Sequence, residues 1–227
     1  LFGEAATGRP LPEPPDGTPA KPLRIGFAGL LMASKGAHTV VEAVAILQQR
    51  GLTAVAMLAG GRFQADYIQH MEQFVQQHRL QQQVQFVKQL SREQLARFYR
   101  LQHVGVFPSI HPEAFGIVAA EAMASGLALV SSGVGGAAEL FEDNVSGLSF
   151  CKGNAESLTD QLERLTQDPE FLNILQRTGE TEARRDFSVS TMVKKLEELW
   201  SQHNDARASG EVASESDGQR RKTIPSN

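Results

Sequence analysis

The chain has 227 residues, 41% hydrophobic and 21% charged, with a formal net charge of −4 at pH 7. That is apolar material enough for one compact domain with tails, and the acidic balance gives no basic footprint for nucleic acid or an anionic membrane surface. A single cysteine, Cys151, excludes a disulfide framework and a thiol zinc cluster.

Residues 1–22 are dense in Pro and Gly, lack periodicity and read as a linker. From Leu23 onward, short apolar runs alternate with longer helical patterns. They predict strands over 23–28, 54–59, 84–88, 103–107, 127–131 and 147–150. Helices are predicted over 36–50, 65–79, 91–101, 116–125, 136–142, 154–166, 169–178 and 188–202. Regular alternation of this kind means an α/β fold, a Rossmann-like parallel sheet with helices on both faces, as one domain over 23–202. The most apolar stretch, 116–130, is interrupted by Glu121, Ser125 and Gly126, so no membrane span is expected. Residues 203–227 are polar and aperiodic and are predicted to be disordered. The unusual sequences at 29–36, 60–61, 108–116 and 133–136 all fall at carboxyl ends of predicted strands, where such sheets bind ligands.

Glu113 and Glu121 stand eight residues apart around one of these ends. Pro112 and Gly116 place Glu113 in the loop before a helix that is small or apolar on every face except for Glu121. A carboxylate on a helix packed on both sides needs a partner, and helical side chains lean toward the N-terminus, so Glu121 points back toward the Glu113 loop. The helix start adds unpaired amides and a positive dipole end suited to phosphate. A nucleotide sugar satisfies all three features. An internal Arg or Lys beside Glu121, with Glu113 merely solvated, satisfies them equally well. Other phosphate loops fit poorly. GLLMASKGA is not G-x4-G-K-[ST], and Gly133, Gly135 and Gly136 do not make G-x-G-x-x-G after the first strand. We read Gly133 as a packing glycine and leave Gly135 and Gly136 open, a tight turn into the next helix being their plain reading.

EAFGIVAAE, running into EAMASG and then GVGGAAEL, resembles the E-x7-E signature of retaining glycosyltransferases of the GT-B fold, family 4 (group 1). The resemblance extends from about Leu23 to Trp200 and takes in IGFAGLLMASKG, MLAGG, VQFV and VFPSIHPEAFG in order. It implies that Glu121 binds ribose hydroxyls and Glu113 hydroxyls of the donor sugar. Lys35 and the amides of Phe115, Gly116 and Ile117 would hold the sugar and diphosphate, making Glu113 and Lys35 the catalytic pair. The main chain from Lys88 to Leu90 would meet the base, and His111 would line the sugar pocket. The donor would be a UDP-, GDP- or ADP-sugar, with no metal or other cofactor, and the acceptor, unspecified, would sit mainly on an N-terminal half absent from this chain. The 188–202 helix, with Met192, Val193, Leu196, Leu199 and Trp200 as its apolar stripe, resembles the family's closing helix.

Three departures stand out. Leu30 occupies the position where the family usually has arginine, for which Arg62 is the nearest substitute. His103 replaces a common aspartate, and Leu127 with Ala128 replaces a usual proline and its neighbour. Alternatives of other classes are a sugar-nucleotide 2-epimerase and a non-catalytic relative that binds a nucleotide sugar or a partner protein. With no signal peptide visible, a cytoplasmic location is expected.

Overall fold

A computed structural model describes residues 12–208. The parts of the expected linker and tail beyond those limits lie outside the described residues. Six parallel strands form one sheet in the order β3-β2-β1-β4-β5-β6. They are β1 Leu23–Ala28, β2 Ala54–Ala59, β3 Val84–Val87, β4 Val104–Phe107, β5 Ala128–Ser131 and β6 Gly147–Ser149. The helices are α1 Ala37–Gln49, α2 Ala65–Gln77, α3 Arg92–Tyr99, α4 Ile117–Ala124, α5 Ala155–Gln167, α6 Pro169–Phe187 and α7 Val189–Ala208.

The strand period of two sorts the core into two faces. Ile25, Phe27, Ala56, Leu58, Val104 and Val106 share a cluster with α1, α2 and α5. Ala59, Phe107, Leu127 and Leu129 turn the other way, toward α3 and α4. Helix starts follow local chemistry. Ser91 and Gln94 make a reciprocal capping box for α3, while Asn154 and Asp168 cap α5 and α6.

Three helical segments depart most from expectation. The 136–142 segment is only a 3₁₀ turn, Gly136–Glu139. Helix α6 continues nine residues past its predicted end at Thr178, straight through Gly179. A Cβ at Gly179 would lie 2.7 Å from the Ser146 carbonyl, so this glycine permits a close approach rather than stopping the helix. The chain divides into a unit ending at Ser188 and a second unit beginning at Val189. Within the second, α7 reaches Ala208, so residues 203–208 are helical where disorder was expected. Met192, Val193, Leu196, Leu199 and Trp200 are spaced to share one side of it.

Residues 12–22, expected as linker, pack along the domain. Gly17 accepts a hydrogen bond from the Thr53 amide at 2.7 Å, and Pro15 is buried. His103, just before β4, clasps this segment. Its Nδ1 accepts from the Arg24 amide at 3.0 Å, which leaves Nε2 to donate to the Glu13 carbonyl at 2.9 Å. The ring is 3% exposed, and burial pushes it down to about 4 from an ordinary 6.5. As pH falls the unfolded chain takes up a proton first. The contribution of neutral His103 is therefore complete above pH 6.5 and is lost between there and about 4, at up to about 1.4 kcal/mol per pH unit. Urea midpoints across that window should fall more steeply for the wild type than for His103→Gln; parallel slopes would refute the clasp.

Candidate functional site

The strand order reverses between β1 and β4, and the carboxyl ends of those two strands open a cleft of about 290 Å³. Its walls are Phe27, Ala28 and Gly29 from β1, Phe107, Pro108 and Ser109 from β4, Lys35, and the run from Glu113 to Val118. Lys35 ends a 3₁₀ turn over Ala33–Lys35 that Gly36 closes with φ 71°. A Cβ on Gly36 would stand 2.0 Å from the Pro108 carbonyl, so only glycine lets this turn rest on the end of β4. The amides of Ile110 and His111 donate to the Ser34 carbonyl and tie the two loops together.

The loop carrying Glu113 is held from below by the glycine-rich turn. The Glu113 amide donates to Val134, and its carbonyl accepts from Gly136 at 2.8 Å. Any Cβ on Gly135 or Gly136 would drive into the backbone of Glu113 or Ala114, at 2.4 and 2.2 Å. Those two glycines thus serve close backbone approach. Gly133, read from sequence as a packing glycine, has open space around its missing side chain and φ 60°; its conformation is what requires glycine.

At the cleft, Lys35 Nζ donates to Glu113 Oε1 at 2.5 Å, and Ser109 Oγ donates to the same oxygen at 2.7 Å. Burial raises the Glu113 carboxyl, but these two donors outweigh it and hold the group below the usual carboxylate range. Ser109 was not identified from sequence. The available signal was a hydroxyl at a strand end four residues before Glu113.

Helix α4 starts at Ile117 after Gly116, φ 88°, with no side-chain cap, so the amides of Ile117 and Val118, both residues of the cleft wall, have no intrahelical acceptor. Its far end is covered by Arg184, whose Nη2 donates to the Ala124 carbonyl at 2.6 Å. Glu121 lies one turn beyond Ile117, half-buried. Burial pushes its carboxyl above the usual range, with Arg92 acting against that through space. Its carboxylate has no hydrogen bond or ion pair among the described residues, so the internal Arg or Lys partner is not found there.

The cleft thus brings together Lys35, Glu113, Phe115, Gly116 and Ile117, but not the remaining candidates. Arg62 is exposed, bridges Leu31 through its backbone and pairs with Glu72 at 2.7 Å; neither it nor Leu30 is part of the cleft wall. His111 is exposed outside the cleft. Lys88 and Leu90 follow β3, two strands away from β1. Among the described residues no group of His, Cys, Asp and Glu gathers as a metal cluster, and no helix is long and apolar enough to cross a membrane.

Strand order, switch-point cleft and uncapped helix start place the domain in the Rossmann-like α/β class. Residues 13–182 match the family model of glycosyl transferases group 1, and the chain belongs to that family. It is similar to the D-inositol 3-phosphate glycosyltransferase of Saccharomonospora viridis, 31% identical over 74% of this chain and 40% of that protein. Among solved structures it resembles sucrose-phosphate synthase from Thermosynechococcus elongatus, with TM-score 0.72 and 30% identity over 83% of this chain and 47% of that one. It also resembles Anabaena HepE in complex with UDP-glucose, with TM-score 0.73 and 25% identity over 81% and 50%. The chain spans about two fifths of the length of the curated relatives it matches.

Proposed function

We propose that this chain is the donor-binding half of a retaining, family 4 glycosyltransferase that takes its sugar from a nucleoside diphosphate. The observation that carries this reading is the convergence of Lys35, Glu113 and the uncapped start of α4 on one switch-point cleft. Phosphate suits the lysine and the amides, and sugar hydroxyls suit the carboxylate. The unpartnered Glu121 is the E-x7-E partner for ribose. HepE, similar in fold and 25% identical, was solved with UDP-glucose, which favours the same ligand class here. Leaving-group charge would be met by Lys35 and helix amides rather than a metal, so binding should survive EDTA. We place the protein in the cytoplasm, a compartment that suits its single free, exposed thiol, Cys151.

A thermal-shift series with UDP-glucose, GDP-mannose and ADP-glucose tests the reading. A ligand at 100 times its dissociation constant stabilises the fold by about 2.7 kcal/mol, and one of the three should do so. No shift with any of them would overturn it. Leu30 favours one competing reading, a non-catalytic relative. It is 43% exposed where the resembled family carries a cation, and that relative would bind donor yet stay inactive as the full-length protein.

A further inference from the structure

We propose that Ser109 is a positioning residue that keeps Glu113 aimed at the donor sugar once Lys35 has turned to the diphosphate. The inference rests on the donor-binding reading above and concerns how that site discriminates a nucleotide sugar from a bare nucleotide.

Both donors to Glu113 converge on Oε1, and no hydrogen bond among the described residues reaches Oε2. The carboxylate therefore has one anchored oxygen and one available to ligand. The two anchors differ in kind. Lys35 is a cation on a flexible stem, its side chain 31% exposed, in the wall of the same cleft. An arriving diphosphate carries more negative charge than Glu113 and draws the ammonium toward itself. At that moment Glu113 loses its cation and gains an anion as neighbour.

Ser109 cannot be drawn away in the same manner. It is 1% exposed, and its own carbonyl accepts from Ser132 Oγ at 2.7 Å. Its single hydroxyl proton has carbonyls of Ser34 and His111 within reach at 3.3 and 3.2 Å, but the charged Oε1 at 2.7 Å is the nearer and stronger acceptor. In the donor complex Ser109 becomes the remaining anchor of Oε1 and holds Oε2 toward the sugar hydroxyls. Its contribution grows when the ligand carries both a diphosphate and a sugar.

The test is calorimetric titration of the 227-residue chain with UDP and UDP-glucose, GDP and GDP-mannose, and ADP and ADP-glucose. The readout is the ratio of dissociation constants, bare nucleotide over nucleotide sugar, for the pair that binds. Ser109→Ala should lower that ratio about tenfold, the effect of losing one hydrogen bond to a charged group. Ser109→Thr, which keeps the hydroxyl, should recover most of it. Because Ser109 acts through Glu113, adding Ser109→Ala to Glu113→Gln should change the ratio no further. Should the alanine variant not fold, Ser109→Cys supplies the same comparison with nearly the same volume and a weaker donor.

An unchanged ratio, or equal proportional losses for both ligands, overturns the positioning role and leaves the proposed function standing. A wild-type chain that binds none of the six ligands overturns the function itself and this inference with it.

Discussion

Supplied with labelled donor and a panel of acceptors, the purified 227-residue chain should bind nucleotide sugar and transfer none of it. The donor contacts proposed for Lys35, Glu113, Glu121 and the start of α4 all come from one domain, from the loops after β1 and β4 and the helix that follows β4. The chain spans about two fifths of its curated relatives, and the GT-B resemblance assigns the acceptor mainly to another half. On the proposed reading, a donor half by itself leaves the cleft one wall, admits water and does not hold an acceptor in line. The proximity contribution of about 7 to 11 kcal/mol is then unavailable. On that reading, supplying an acceptor-binding half should restore turnover. Robust transfer by the chain alone would show that it is not half an enzyme.

Glu113 and Glu121 should separate by ligand. Glu121 is half-buried without an ion pair among the described residues, and burial holds its carboxyl above the usual range. Its ionised form is disfavoured in the fold, so stability present below the ordinary carboxylate range is lost as pH rises through the raised value. Glu121→Gln should consequently raise the Tm of the ligand-free protein near pH 7, with the gain vanishing in acid. The same change should weaken UDP, GDP or ADP, whichever binds, by about ten- to a hundredfold through lost charged hydrogen bonds to ribose. Glu113→Gln should instead fall on the nucleotide sugar and, in the intact enzyme, on turnover. Equal losses of bare nucleotide for the two variants in calorimetry would refute this division.

Periodicity made much of this molecule legible. β1 and β2 have their predicted limits, and β3 to β6 differ by one residue at an end, because a buried parallel strand is a short apolar run bounded by glycine or polar residues. The misjudged features depend on contacts distant in sequence. Gly179 resembles a helix terminator until its approach to Ser146 is seen. Lys35 and Glu113 were each nameable from their motifs, but their pairing joins residues 78 positions apart. Arg62, the nearest cation to Leu30 in the motif reading, pairs at the surface with Glu72 in this structure. The local signal at Ser109, a hydroxyl four residues before Glu113, does not by itself say that it donates to that carboxylate, since that depends on how the β4 loop turns.

Gly135 and Gly136 carry a consequence for how this sequence can drift. Each sits against the backbone of the Glu113 loop with no room for one added carbon. Substitution at either would move the carboxylate rather than delete it, and compensation would have to come from the facing loop. A tolerance map of the chain would therefore show two silent positions, lacking any group that could touch ligand, standing beside the acid as though they were chemical. Their intolerance would record the clearance between two loops, which only a joint change in both could relax.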